Sequence, residues 1–70
     1  MFLMWFDDDK RKLTTDKITE ALAAYERRFR SKANVVLVHE QERGDAPNWV
    51  TIRAQSYIRP SMFYVGREDA

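Results

Sequence analysis

The sequence predicts a small α+β fold: a single amphipathic helix packed on one face of a three- to four-stranded sheet, in the order β-α-β-β-β. Three observations carry that expectation. The chain opens on an unbroken apolar run, Met1-Phe2-Leu3-Met4-Trp5-Phe6. A stripe of apolar residues at helical spacing follows, formed by Ile18, Ala21, Leu22, Tyr25 and Phe29. The remainder holds further stretches of β-branched and aromatic residues, separated by links that carry Gly or Pro.

The opening run reads as a strand, because successive side chains point to opposite sides and both sides here are apolar. Phe2, Met4 and Phe6 fall on one side, Leu3 and Trp5 on the other. A strand apolar on both faces normally lies inside a sheet covered above and below. Only one helix is available as cover, so one face is left over. Asp7-Asp8-Asp9-Lys10-Arg11-Lys12 then forms a polar loop.

The helix is expected to start at Thr14 as N-cap, with Leu13 and Ile18 as a hydrophobic staple, and to end near Ser31. Asp16 suits its positive end, and Arg27, Arg28, Arg30 and Lys32 suit its negative end. Asn34-Val35-Val36-Leu37-Val38-His39 reads as a second strand, again apolar on both faces. A strand, a helix and a strand joined by short links suggest a right-handed βαβ unit with parallel strands. Gly44 to Asn48 is a loop, and Trp49 to Gln55 alternates as a strand with Val50, Ile52 and Ala54 on its buried side. Pro60 interrupts the link from Ser56 to Ser61, Met62 to Val65 forms a last strand stopped by Gly66, and residues 67–70 are expected to fray.

Residues 1–70 make one domain, close to the lower size limit for an autonomous core, and oligomerisation is a common remedy at that size. There is no cysteine, so neither a disulfide framework nor a thiolate metal site is available, which fits a reducing cytoplasm. Twelve Lys and Arg against eleven Asp and Glu leave a net charge of +1, so no whole-molecule field draws in nucleic acid or an anionic membrane. The opening apolar run is too short to span a bilayer and lacks the flanks of a signal peptide, so a cytoplasmic protein without a membrane partner is expected.

Three constellations carry candidate chemistry. Asp7 and Asp9 close the first strand, while His39 and Glu40 close the second. If those strands are parallel, the four side chains share a rim where they could hold a divalent cation, although solvated loop acids beside Lys10-Arg11-Lys12 are the more frequent meaning of such a cluster. Arg27, Arg28, Arg30 and Lys32 are nucleic-acid candidates, weighed against a solvated helix end that complements the helix dipole. Leu3, Trp5, Val35, Leu37 and Tyr64 are the interface candidates, since two strands that are apolar on both faces leave a surface for a second copy or a protein partner. Trp49 is a further aromatic of the kind interfaces favour, with ordinary core packing beside Pro47 an equal reading. Arg43-Gly44-Asp45 matches a cell-adhesion tripeptide and reads as a turn that contains glycine. No nucleophile elbow or Gly-rich phosphate loop is present, so no catalytic residue and no cofactor is assigned, and a non-enzymatic, self-associating role is favoured.

Two resemblances accompany this reading. Phe6-Asp7-Asp8-Asp9-Lys10-Arg11-Lys12, set between a strand and a helix, resembles the start of the CRISPR-associated Cas2 proteins over about the first forty residues. That resemblance implies a ferredoxin-like fold, dimers formed through the sheets, and an acidic position at Asp7 for a metal-dependent nuclease. Cas2 proteins carry a second helix where Gly44 to Gly66 here offers only strands. Trp5-Phe6-Asp7-Asp8-Asp9, the single helix, Asn34-Val35 and Pro60 to Gly66 resemble a set of short uncharacterised bacterial proteins, which implies a compact stand-alone unit and no site residues.

Overall fold

A computed structural model describes residues 2–68. The order is β-α-β-β-β: β1 (Phe2–Phe6), α1 (Thr14–Phe29), β2 (Val35–His39), β3 (Thr51–Gln55) and β4 (Met62–Gly66). The four strands form one mixed sheet in the order β1-β4-β2-β3. β4 is antiparallel to both β1 and β2, while β3 is parallel to β2. β1, β2 and β3 therefore run one way and β4 runs against them. The expected βαβ unit is thus split. Its two strands are parallel, yet the last strand of the chain is inserted between them.

The apolar stripe of α1 explains where the core sits. Ile18, Ala21 and Tyr25 are buried against Val36 and Val38 of β2 and Phe63 and Val65 of β4. Ile18, Val36, Val38, Phe63 and Val65 are fully enclosed. Leu3 and Trp5 of β1, Leu22 and Phe29 of α1, and Ile52 and Ala54 of β3 pack around that cluster while staying partly exposed. Alternation then fixes the other face of the sheet.

Four expected boundaries move, two of them at the ends of α1. The N-cap of α1 is Leu13 and has no capping side chain; its carbonyl accepts from the amides of Asp16 and Lys17, at 3.0 and 3.2 Å. With Leu13 as the cap, the staple expected from Leu13 and Ile18 is out of register. The Thr15 hydroxyl is occupied elsewhere, accepting from the Asp45 amide at 2.9 Å. The helix stops at Phe29 because Arg30 turns left-handed (φ 57°), with its amide donating to the Glu26 carbonyl at 2.9 Å. The third strand starts at Thr51 rather than Trp49, and Gly66 is the final residue of β4 rather than a stop before it.

The parallel β2–β3 pair needs a crossover, which segment 40–50 supplies without a helix. It runs on the α1 side, where Ala46 and Val50 pack on the core and Asp45 ties it to Thr15. Both covers, helix and crossover, therefore lie on the same side of the sheet. Past β4, Glu68 exchanges hydrogen bonds with Asn34 and its carboxylate meets Arg53 at 2.6 Å, so Arg67 and Glu68 are held. Asp69 and Ala70 of the expected frayed tail, and Met1 of the expected first strand, lie outside the described residues.

Candidate functional site

The sheet face turned away from α1 is built in cross-strand rows. One row runs Phe2, Gly66, Val35, Thr51, and the next runs Met4, Tyr64, Leu37, Arg53. A third begins with Phe6 beside Met62 and ends with His39 beside Gln55. The face is lopsided, apolar on the β1 side and polar on the β3 side. Phe2, Met4 and Phe6 are 41%, 61% and 59% exposed, whereas Leu37, Met62 and Tyr64 are half-buried. The exposed apolar surface thus concentrates on the edge strand.

Of the five residues expected at an interface, Leu37 and Tyr64 stand side by side on this open face. Val35 belongs to the same face but is 1% exposed, in the corner where Glu68 is tied to Asn34 and Arg53. Leu3 and Trp5 point the other way, into the core under α1. The side chains that β1 presents are Phe2, Met4 and Phe6, and Met62 joins them. Their parity depends on the register of β1 against β4, which no local pattern in a single strand contains.

The acidic loop has a different use. Asp7 Oδ1 accepts from the Asp9 amide at 3.0 Å, and Asp9 Oδ1 accepts from the Arg11 amide at 2.9 Å, giving two successive Asx turns. Lys12 Nζ bridges Asp7 Oδ2 at 3.0 Å and Glu20 Oε1 at 2.9 Å, fastening the loop to α1. The Asp9 amide, then the Lys12 ammonium, hold the Asp7 carboxyl below its ordinary value. Asp9 is lowered likewise by the Arg11 amide and guanidinium. The two carboxylates together raise Lys12, with Glu20 the larger contributor. His39 and Glu40 do lie at the same end of the sheet as Asp7 and Asp9, because β1 and β2 are parallel. The intervening β4 sets the two strand ends about 9–10 Å apart. Among the described residues, no group of three or more His, Asp or Glu side chains is placed to hold a metal ion.

Arg27, Arg28, Arg30 and Lys32 are all exposed at the C-terminal end of α1. The Arg28 guanidinium lies 5.7 Å from the Phe29 ring centre, and Lys32 Nζ lies 4.7 Å from that of Trp49. Trp49 is 57% exposed and, with Pro47, walls a groove of about 170 Å³ between α1 and the crossover. The groove is lined further by Leu22, Glu26 and Lys32. Strand alternation alone does not place the Trp49 ring at this groove; Trp49 lies in a turn closed by the Val50 amide donating to the Pro47 carbonyl at 3.0 Å, ahead of β3.

Among the described residues no helix is long and apolar enough to cross a membrane. Comparison of the chain with protein-family models, curated proteins and solved structures returned no match.

Proposed function

We propose that this chain is a non-catalytic interaction module that self-associates through the apolar side of its open sheet face. One observation carries the reading: helix and crossover cover the same face, so the exposed Phe2, Met4 and Phe6 share the opposite face with the half-buried Leu37, Met62 and Tyr64. Contiguous apolar surface of this kind marks contact sites. A domain of this size also gains more from a partner than a large one does, because its own core supplies little net stability.

Light scattering after gel filtration, repeated across a micromolar concentration series, tests the reading. The native chain is expected to self-associate. Met4→Glu, at a position 61% exposed, should abolish association while leaving the circular dichroism spectrum of the monomer unchanged. A native chain that stays monomeric throughout the series removes the proposal.

A second reading rests on Lys32 stacked over the exposed Trp49 beside Arg27, Arg28 and Arg30. Cations around an accessible indole suit single-stranded nucleic acid, whose bases stack on aromatic rings. Fluorescence anisotropy with a labelled single-stranded oligonucleotide should then show binding that weakens with salt, and Trp49→Ala should reduce it several-fold. Absence of binding at low salt ends this second reading.

A further inference from the structure

We propose that two copies associate edge to edge, by antiparallel pairing of their β1 strands about a two-fold axis at Met4, joining two four-stranded sheets into one. The inference rests on the self-association reading above and places the contact at the β1 edge of that face rather than across the face itself.

Hydrogen-bond parity along β1 is the starting point. The Asp7 amide donates to the Ser61 carbonyl at 3.0 Å, one step beyond the Phe6–Met62 pair. In an antiparallel ladder the residues that bond a given neighbour alternate. Asp7, Trp5 and Leu3 therefore direct their backbone groups to β4. Phe2, Met4 and Phe6 direct theirs outward, to the free edge. The residues with the unpaired amides and carbonyls are thus the same ones whose side chains are exposed on the open face.

The two edges of the sheet are not equivalent. At β3 the Thr51 amide donates to the Asn34 carbonyl at 2.8 Å, so Thr51, Arg53 and Gln55 bond inward and only Ile52 and Ala54 point outward. That edge also carries the Arg53–Glu68 ion pair. β1 has no charge and no proline, which are usual guards of an exposed edge.

The sequence of β1 suits its own image. Rotation about Met4 sets Phe2 opposite Phe6 of the other copy, Leu3 opposite its Trp5, and Met4 opposite its Met4. Every outward amide and carbonyl then finds a partner, giving about six new hydrogen bonds. Centring on Trp5 would instead set Leu3 against Asp7, whose carboxylate is already bound to Lys12. Centring on Leu3 would leave Phe6 unpaired. Taking about 200 Å² for a fully exposed Phe or Met, the exposed parts of Phe2, Met4 and Phe6 amount to roughly 300 Å² per copy. Edge pairing keeps these side chains on one face of the joined sheet and covers their flanks, so the two copies bury at most about twice that, which belongs with small, transient interfaces rather than obligate ones. The dimer is therefore expected to be reversible and concentration-dependent.

Single-cysteine variants test the geometry, since the chain has no cysteine of its own. Cα atoms of a directly opposed hydrogen-bonded pair lie about 5.5 Å apart, within disulfide range. Met4→Cys should therefore form a disulfide dimer under mild oxidation, read by intact mass. Phe2→Cys and Phe6→Cys should each cross-link poorly alone and efficiently when mixed. Met4→Pro removes only an outward amide, so it should give a folded monomer by circular dichroism and light scattering. If the native chain dimerises but Met4→Cys does not cross-link, or Phe2→Cys couples to itself as readily as to Phe6→Cys, edge pairing is wrong and face-to-face stacking takes its place. A Met4→Pro variant that folds and still dimerises overturns edge pairing equally. A native chain that never dimerises removes both this geometry and the reading it rests on.

Discussion

Gly44→Ala tests the seat of the crossover on the helix. A Cβ at this position would come within 2.8 Å of the Thr15 amide nitrogen, 3.0 Å of the Thr15 hydroxyl and 3.1 Å of the Thr14 carbonyl carbon. Two of these are backbone atoms in the first turn of α1, which cannot swing aside as a side-chain tip can. None of the glycines among the described residues has a positive φ, so it is close approach and not backbone conformation that demands glycine here. Forcing a methyl into such a contact costs about 1–3 kcal/mol. Lifting the loop also loosens the Asp45–Thr15 hydrogen bond, a further ~1 kcal/mol. The lower entropy of alanine in the unfolded chain returns about 0.4–1 kcal/mol. The expected loss is thus about 1–4 kcal/mol, and each 1 kcal/mol lowers the Tm of a domain this size by roughly 4–8 °C. Thermal melts of the native chain, Gly44→Ala and Thr15→Ala help separate the contributions, since Thr15→Ala removes the hydrogen bond while leaving glycine at position 44. A Gly44→Ala protein that melts with or above the native chain would refute the close packing of the crossover on α1.

Two further predictions rest on local geometry. Asp7 is held below its ordinary value of 3.8, so its contribution is fully present above that pH and disappears as pH falls through the lower folded value. Asp7→Asn should accordingly be less stable than the native chain near neutrality, with the gap in urea midpoints closing below pH ~4; a pH-independent gap would contradict the Asx-turn and Lys12 assignment. Arg30→Gly should move stability the other way, because Arg30 ends α1 at φ 57°, where a Cβ is unfavourable. A gain of about 0.5–1 kcal/mol in chemical denaturation is expected. A loss would mean that the Arg30 side chain contributes more than its backbone strain costs.

The helix was legible because its stripe of Ile18, Ala21 and Tyr25 is a one-dimensional pattern that local geometry converts directly into a buried face. Its cap was not legible. Thr14 suits an N-cap, yet the helix starts with Leu13 as its cap and no capping side chain, while the neighbouring Thr15 hydroxyl accepts from the amide of Asp45, thirty residues on. The insertion of β4 between β1 and β2 was hidden for a similar reason: Met62 to Gly66 records which of its own faces is apolar, not which neighbours it will bond.

The same rule, applied to two strands, had opposite outcomes. Apolarity on both faces points to an interior position, and β2 occupies one: Val35, Val36 and Val38 are all buried between β4 and β3. β1 is likewise apolar on both faces yet lies at the edge, with alternate side chains and their outward backbone groups in solvent. An edge strand under no further demand tolerates, and usually carries, a charge or a proline. β1 has the composition of an interior strand in a chain whose own sheet ends there. Its composition makes sense if a further strand lies alongside it, which is what the two-fold pairing proposed for β1 supplies.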